Sequence, residues 1–149
     1  MTKFEVLQVE KSFGTKAVLK NIAFECTKGQ ILGIFGRNGC GKSTLLKIIF
    51  GALKCDRFDA LLNNEKYMPG LNIRKKQIAY LPQHNILPSD KKVRDIVSMF
   101  YPNPDKQDRI LYNPKIASYD SLKFGQLSSG EKRIFCKLIL FIAIASYVL

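Results

Sequence analysis

Nine consecutive residues, 36–44, carry the clearest chemistry in this chain, and they read Gly-Arg-Asn-Gly-Cys-Gly-Lys-Ser-Thr. They fit the pattern G-x-x-x-x-G-K-[ST] in full. Because glycine has no Cβ, the backbone of such a segment can fold into a ring of inward-pointing N–H groups. A helix that begins near Lys42 would add the positive end of its dipole. The segment therefore predicts a loop that holds nucleotide phosphates, which kinases, GTPases and many ATPases share.

The chemistry of each side chain suggests its role in this phosphate loop. We expect Lys42 to reach the β- and γ-phosphates as a point charge, the Ser43 hydroxyl to ligate Mg²⁺, and Thr44 to bond a more distal phosphate. The other loop residues expected to line the nucleotide are Gly36, Asn38, Gly39, Cys40 and Gly41.

Two elements must position this loop. Residues 31–35 form a short apolar run without polar alternation, which predicts a strand buried on both faces as in a parallel sheet. Residues 43–50 carry an apolar stripe at helical spacing, and Gly51 is a suitable C-terminal stop. Strand, glycine loop and helix in this order are what a phosphate site needs.

Hydrophobic periodicity and turn residues predict the remaining elements. A hairpin turn is expected at residues 13–16 and another at Asn63-Asn64. Helices are expected at residues 93–100 and from a cap at Ser128 or Ser129 to about residue 142. Further strands are expected at residues 4–9, 17–26, 78–81 and 147–149.

The composition indicates an ordinary globular protein with a basic surface. The 149 residues include 24 Lys and Arg against 12 Asp and Glu, for a net charge of +12. Such an excess favours anionic partners, although the basic residues are scattered and also fit a solvated lysine-rich surface. The four cysteines form no CxxC pair, which argues against a zinc site and against a disulfide framework. The apolar stretch 138–149 is too short to span a bilayer, which needs about 20 residues.

A second motif identifies a family. Residues 127–131, Leu-Ser-Ser-Gly-Glu, resemble the LSGGQ signature of ABC ATPases, and a lone Gln83 follows a predicted strand between the two motifs. The resemblance to ABC transporter ATP-binding domains covers nearly the whole chain. It implies an α/β fold: a P-loop NTPase core with a mixed sheet, an N-terminal antiparallel β part and a small helical subdomain.

The resemblance also implies roles for residues outside the phosphate loop. Phe13 would stack on adenine; the alternative is that it is an aromatic residue of the core. Gln83 would ligate Mg²⁺ and orient water; the alternative is that it is an ordinary surface loop residue. The catalytic residues would be Lys42 and Gln83. The signature residues would contact the nucleotide held by a second ABC domain in a head-to-tail dimer; they are Ser128, Ser129, Gly130 and Glu131. Ser129 and Glu131 depart from the glycine and glutamine of the family, which leaves that contact open.

The sequence is expected to form a single ABC domain over residues 1–149. Residues 1–83 would hold the β part and phosphate loop, 84–126 the helical subdomain, and 127–149 the signature helix with the start of the next strand. No Asp or Glu follows Glu131, whereas the family carries there an Asp that holds Mg²⁺ and a Glu that activates water. We therefore expect a C-terminally incomplete domain that binds ATP and hydrolyses it weakly or not at all.

The function that the resemblance implies is that of an ATP-binding subunit of an ABC transporter. Such a subunit would lie on the cytoplasmic face of the cell membrane and power a separate transmembrane subunit, with ATP and Mg²⁺ as cofactors. Two alternatives stay open: a soluble ABC-type ATPase that acts on the ribosome or nucleic acid, and a nucleotide-binding fragment that does not hydrolyse ATP. A nucleic-acid partner is the less favoured, because such proteins usually carry two ABC units and a long basic linker, neither of which is visible.

Overall fold

The computed structural model describes residues 2–75, 77–82 and 87–145, and the chain divides into two compact units, Met1–Tyr80 and Leu81–Leu149. The first unit contains, in order, β1 (Lys3–Phe13), β2 (Lys16–Thr27), α1 (Lys42–Phe50), β3 (Arg57–Leu62), β4 (Glu65–Lys66) and α2 (Pro69–Lys75). The second contains α3 (Val93–Phe100), α4 (Pro104–Leu111), a 3₁₀ turn (Phe124–Gln126) and α5 (Ser129–Ala145).

The sheet of the first unit is antiparallel throughout, in the order β2-β1-β3-β4. A tight turn joins β1 to β2, with Phe13 opposite Lys16 and Gly14 at φ 57°. Asn63 and Asn64 join β3 to β4 with φ of 55° and 65°. Two consecutive positive φ values suit a turn whose twist matches that of the strands, and asparagine tolerates them better than most residues. Both hairpins predicted from the sequence are confirmed.

The core of the first unit lies between the sheet and α1. Its buried residues are Val6, Val9, Leu19, Leu45, Ile48, Ile49, Ala60 and Tyr67. Each fully buried aliphatic side chain contributes about 1.5–3 kcal/mol to folding. The buried face of α1 thus holds this helix against the sheet, and the loop that precedes the helix is anchored with it.

Glycines bound α1 at both ends. Gly41, at φ 102°, precedes its first residue, and Gly51, at φ 95°, follows its last. The N–H of Gly51 donates to the carbonyl oxygens of Lys47 and Ile48, at 3.1 and 3.0 Å, which closes the last turn. Left-handed glycine is the common way for a helix to stop. The predicted helix over residues 43–50 and its stop at Gly51 are confirmed.

The second unit is helical, with a core formed by α3, α4, α5 and the segment before α5. The buried residues include Val93, Ile96, Ile110, Phe124 and Phe135. Asn103 caps α4 through its side-chain oxygen, which accepts from the N–H of Asp105 at 2.9 Å, and Pro104 follows at the first helical position, where no N–H is needed. The helix predicted at residues 93–100 coincides with α3.

Two predicted strands are wrong. Residues 31–35 adopt no regular structure, and Ile31 and Phe35 are 99% and 93% exposed. A strand buried on both faces needs neighbouring strands, and within the described residues β1–β4 pair only with one another. Residues 78–81 are not a strand either, because the N–H and C=O of Ile78 bond to the Asn72 side chain. The strand predicted at residues 147–149 lies outside the described residues.

The combination of a sheet with packed helices confirms the α/β class. The described sheet corresponds to the expected N-terminal antiparallel β part, and the second unit is helical as expected for the subdomain that follows. The parallel pairing of the expected mixed sheet is not found among the described residues.

Candidate functional site

The phosphate loop runs over residues 36–41 and leads directly into α1. Gly39 and Gly41 have φ of 80° and 102°, a region that residues with a Cβ rarely adopt. A Cβ on Gly41 would also lie 2.9 Å from side-chain carbons of both Val18 and Leu19 on β2. The sequence therefore requires glycine at position 41 for two reasons, its backbone angle and its close approach to the sheet.

Lys42, the first residue of α1, turns its side chain back over this loop. Its Nζ donates to the carbonyl oxygens of Gly36 at 2.6 Å and Arg37 at 2.9 Å, and it lies 3.8 Å from the Cys40 Sγ. The ammonium group thus closes residues 36–42 into a ring. Its positive charge is held where a bound anion would meet it, and no acidic side chain accepts from it within the described chain.

The N-terminus of α1 suits an anion as well. Within the described residues no side chain caps it, and its first turn contains no acidic residue. The N–H of Leu45 donates to the carbonyl oxygen of Gly41 at 2.9 Å, as in a regular helix. The N–H groups before Leu45 are those that a helix cannot satisfy internally, and they carry the positive end of its dipole. A phosphate group would meet both needs.

The donor set also fits Mg²⁺ held together with a nucleotide. Ser43 places an exposed hydroxyl group beside Lys42, and Mg²⁺ prefers oxygen ligands. The described residues contain no group of three or more His, Cys, Asp and Glu side chains that could hold a metal ion by themselves. Mg²⁺ would thus depend on nucleotide phosphates for much of its coordination. Gln83, the other expected ligand, lies outside the described residues.

Phe13 lies at the end of β1 and is 49% exposed, so it is not a core aromatic. The Nζ of Lys11 lies 5.0 Å from the centre of its ring and also pairs with an Asp56 carboxylate oxygen at 3.6 Å. Lys11 is the strand partner of Leu19, the residue that the loop approaches at Gly41. Phe13 and the phosphate loop are therefore at the same end of the β1–β2 hairpin.

The signature residues form the start of α5 in the second unit. The N–H of Ser128 donates to Glu131 Oε2 at 2.7 Å, and the N–H of Glu131 donates to Ser128 Oγ at 3.3 Å. This reciprocal pair is a capping box. Hydrogen bonding from the hydroxyl and from the backbone N–H of Ser128 holds the pKa of Glu131 below its usual value. Ser129 and Gly130 are exposed in the first turn.

The capping box was missed by the sequence reasoning, which predicted a serine cap without the reciprocal bond. The spacing Ser-x-x-Glu over residues 128–131 is the signal that would have revealed it. Glu131, where the signature has glutamine, thus has a local structural role. A glutamine could also accept the Ser128 N–H, but it would carry no charge there.

Comparison with known proteins gives a consistent result. The family model described as ABC transporter matches residues 19–148. An uncharacterized ABC transporter ATP-binding protein of Methanocaldococcus jannaschii is 33% identical over 139 residues, which cover 88% of this chain and 48% of that protein. The manganese transport system ATP-binding protein of Halalkalibacterium halodurans is 34% identical over 132 residues, 78% of this chain and 51% of that protein. The chain spans about half the length of these two curated relatives.

Solved structures show the same fold. A crystal structure of an ATP-binding cassette of an ABC transporter superposes with a TM-score of 0.82 at 22% identity, over 95% of this chain and 65% of that one. A cassette in its ADP conformation gives a TM-score of 0.79 at 21% identity, with the same coverage. These similarities establish the P-loop NTPase fold. None of the helices among residues 2–75, 77–82 and 87–145 has the length and apolar character needed to cross a bilayer.

Proposed function

This chain belongs to the ABC transporter family of ATP-binding proteins, and on that premise we propose that it serves as the ATP-binding subunit of an ABC transporter. The observation that carries the proposal is the ring formed by residues 36–42. A single ammonium group, that of Lys42, closes this ring at the uncapped N-terminus of α1. A site with this charge, at a helix start whose first N–H groups have no partner inside the helix, is suited to a chain of phosphates.

ATP would bind with its triphosphate in this ring. Lys42 would move from the loop carbonyls to the β- and γ-phosphates, and Thr44 would bond a more distal phosphate oxygen. Backbone N–H groups of the loop would donate to the remaining oxygens; they belong to Gly36, Asn38, Gly39, Cys40 and Gly41. The Ser43 hydroxyl and Gln83 would hold Mg²⁺, which neutralises charge on the β- and γ-phosphates when it is bound.

The adenine base would stack on Phe13. Lys11 Nζ lies over one face of the ring, and about half of the Phe13 surface is exposed. A base that stacked on the exposed part of the ring would bury apolar surface. Stacking of a base on an aromatic ring is worth about 1–3 kcal/mol. Phe13 and the phosphate loop share one end of the hairpin, which supports one nucleotide contacting both.

A second ABC domain would complete the site. The start of α5 is exposed, so its positive dipole end can face a phosphate bound by the partner domain. We assign Ser128, Ser129, Gly130 and Glu131 to this contact. The Glu131 carboxylate lies close to the same helix end, and its bond to the Ser128 N–H already offsets part of the dipole.

The dimer would act on a separate transmembrane subunit, from the cytoplasmic face of the cell membrane. Residues 84–126 would form the helical subdomain that docks on it, between the β part and phosphate loop at 1–83 and the signature helix at 127–149. The relative named as a manganese transport system ATP-binding protein supports this role.

Members of this family are ATPases, but we propose weak turnover for a polypeptide of these 149 residues. None of its residues after Glu131 is Asp or Glu, so it offers no carboxylate there to hold Mg²⁺ or to activate water. Lys42 and Gln83 would remain as the catalytic contributors. Steady ATP turnover at rates typical of enzymes, about 1 per second or more, would contradict this part of the proposal.

ATP-dependent dimerisation tests the proposed function. Sedimentation velocity should show a monomer without nucleotide and a dimer with ATP and Mg²⁺, since slow hydrolysis leaves the bound ATP in place. Ser129→Arg should abolish the dimer while nucleotide still binds, because Ser129 is an exposed residue of the first turn of α5 and the capping box of Ser128 and Glu131 stays intact. A monomer at saturating ATP would contradict the proposed assembly.

The net charge of +12 favours one other candidate, an ABC-type ATPase that acts on the ribosome or nucleic acid. Fractionation of cells that express the chain separates the two. Recovery with membranes supports the transporter subunit, and recovery with ribosomes in a salt-sensitive manner supports the alternative.

A further inference from the structure

The half-exposed ring of Phe13 has a cation over one of its faces. The Nζ of Lys11 lies 5.0 Å from the centre of this ring. Lys11 and Phe13 are two positions apart on β1, so their side chains project from the same face of the strand. The negative potential of an aromatic face attracts such a charge. The contact therefore favours one orientation of the Phe13 ring.

The ammonium group of Lys11 is itself held in place by Asp56. The Lys11 side chain is 16% exposed, and its Nζ pairs with Asp56 Oδ1 at 3.6 Å. Asp56 Oδ2 accepts from the N–H of Ser12 at 2.6 Å, and the N–H of Asp56 donates to the carbonyl oxygen of Glu10 at 3.0 Å. Asp56 is thus bonded to the backbone on both sides of Lys11. These bonds keep the carboxylate, and with it the lysine charge, beside β1.

The arrangement leaves one face of the Phe13 ring for a ligand. Within the described chain no other aromatic ring packs against Phe13, so the contact with Lys11 is the ring contact that orients it. Because the Lys11 ammonium covers one face, a base that stacks on the ring must use the other. The carboxylate of Asp56 offsets the charge of Lys11, so this pair adds little net attraction for phosphates.

We infer that Lys11 is a positioning residue for the base of the bound nucleotide, and that Asp56 acts through it. The inference rests on the proposed function, because it takes Phe13 to stack on adenine while the loop before α1 holds the phosphates. Lys11 fixes the orientation of the ring before the base arrives. Its contribution is to the affinity gained from the base, whereas Lys42 and the loop supply the affinity for the phosphates.

Lys11→Met tests this, because methionine is a flexible chain that fills similar space without the charge. The measurement is the ratio of two dissociation constants with Mg²⁺, that of inorganic tripolyphosphate divided by that of ATP. This ratio reports the gain from the nucleoside, since both ligands contain a triphosphate chain. We expect Lys11→Met to reduce the ratio about two- to fivefold, the factor that a cation–π contact is worth at an exposed site. The affinity for tripolyphosphate should stay within about twofold of the parent, which is less than the expected change in the ratio.

Three further variants separate positioning from a structural role. Lys11→Arg keeps a cation that can lie over the ring and should retain the parent ratio. Asp56→Asn keeps an acceptor for the Ser12 N–H but loses the charge that holds Lys11, so it should reduce the ratio. Lys3→Met removes a lysine paired with Glu5 and Glu25 at the opposite end of β1, and it should leave the ratio unchanged.

A double variant tests whether Lys11 acts through the ring. In a chain that already carries Phe13→Leu, Lys11→Met should change the ratio no further. The same reduction with and without the ring would overturn the inference, and so would an unaltered ratio in folded Lys11→Met. A parallel loss of affinity for both ligands would also overturn it, because Lys11 would then merely stabilise the sheet. A parent chain that binds neither ligand is a different result, because it would refute the proposed function itself.

A measurement on the parent chain covers the case in which Lys11→Met does not fold. Protons above an aromatic ring resonate upfield, so nuclear magnetic resonance should show the methylene protons next to the Lys11 Nζ shifted upfield. Because a base stacked on the opposite face adds its own ring current, ATP should change this shift and tripolyphosphate should not. Identical shifts with the two ligands would overturn the inference regardless of the variants.

Discussion

Gly51 is the position where the structure makes the strongest demand for glycine. Its φ of 95° lies in the left-handed region, and a Cβ placed there would be 2.1 Å from the carbonyl oxygen of Pro69, at the start of α2. Contacts of a real Cβ are essentially never shorter than 3.0 Å, so Gly51→Ala must shift backbone rather than a flexible side chain. We expect this substitution to weaken the packing of the C-terminal end of α1 against α2.

Two costs make up the expected loss. A residue with a Cβ in the left-handed region costs about 1–2 kcal/mol. Forcing extra atoms into a packed contact costs about 1–3 kcal/mol more. Gly51→Ala should therefore destabilise the chain by about 2–5 kcal/mol. Gly29→Ala is the matched control, because Gly29 has φ 88° and a Cβ there would meet nothing within 4 Å, so only the first cost applies.

Urea unfolding measures both variants, followed by far-ultraviolet circular dichroism and by tyrosine fluorescence. The two probes are needed because the chain has two compact units and a single transition cannot be assumed. Gly51→Ala should also weaken ATP binding, since the phosphate loop leads directly into α1. Equal losses of stability for the two variants would refute the argument, because the close contact with Pro69 would then have no energetic effect.

Three further predictions concern the site. Because the pKa of Glu131 is lowered, the stability from its bonds to Ser128 is complete above the usual glutamate range and is lost as pH falls through that lowered pKa. Urea unfolding of Glu131→Gln, measured against pH, should lack this acid-dependent loss of stability. A pH profile identical to that of the parent would contradict the capping box. Cys40 is the exposed one of the four cysteines, so alkylation followed by mass spectrometry should label it first. ATP at about ten times its Kd should slow this labelling about tenfold. Labelling of Cys40 at the same rate with and without ATP would place the nucleotide elsewhere. Phe13→Ala should weaken ATP by about 1–3 kcal/mol and Phe13→Tyr by much less, as measured by calorimetry; equal affinities for all three chains would exclude stacking on this ring.

Local signals in the sequence were sufficient to predict α1 and its C-terminal stop at Gly51. The glycines at 41 and 51 are needed for backbone angles set within a few residues, and the apolar spacing of α1 is a property of one turn after the next. The hairpin turn at Asn63 and Asn64 has the same origin. Such features can be predicted because the physical reason for each lies inside a short window.

Features that depend on distant residues could not be predicted in this way. The apolar run at 31–35 indicated a buried strand, but a strand forms only where another strand pairs with it, and the run does not specify that partner. Asn72 gave no signal at all, because its partners Phe50 and Ile78 lie 22 and 6 residues away and meet only in the folded unit. The capping box at Ser128 is different, since the Ser-x-x-Glu spacing is local and would have been sufficient to predict it.

The most direct test of the phosphate site is the affinity of the chain for ATP with Mg²⁺, measured by calorimetry for the parent, Lys42→Ala and Lys47→Ala. Both lysines lie on α1, but only Lys42 bonds to the loop carbonyls. Loss of a charged hydrogen-bonding partner costs about 1.5–3 kcal/mol, so Lys42→Ala should bind about 10- to 150-fold more weakly. Lys47→Ala should bind like the parent. Folded parent protein without affinity for ATP, or a Lys42→Ala variant that binds as tightly as the parent, would contradict the phosphate site on which the proposed function depends.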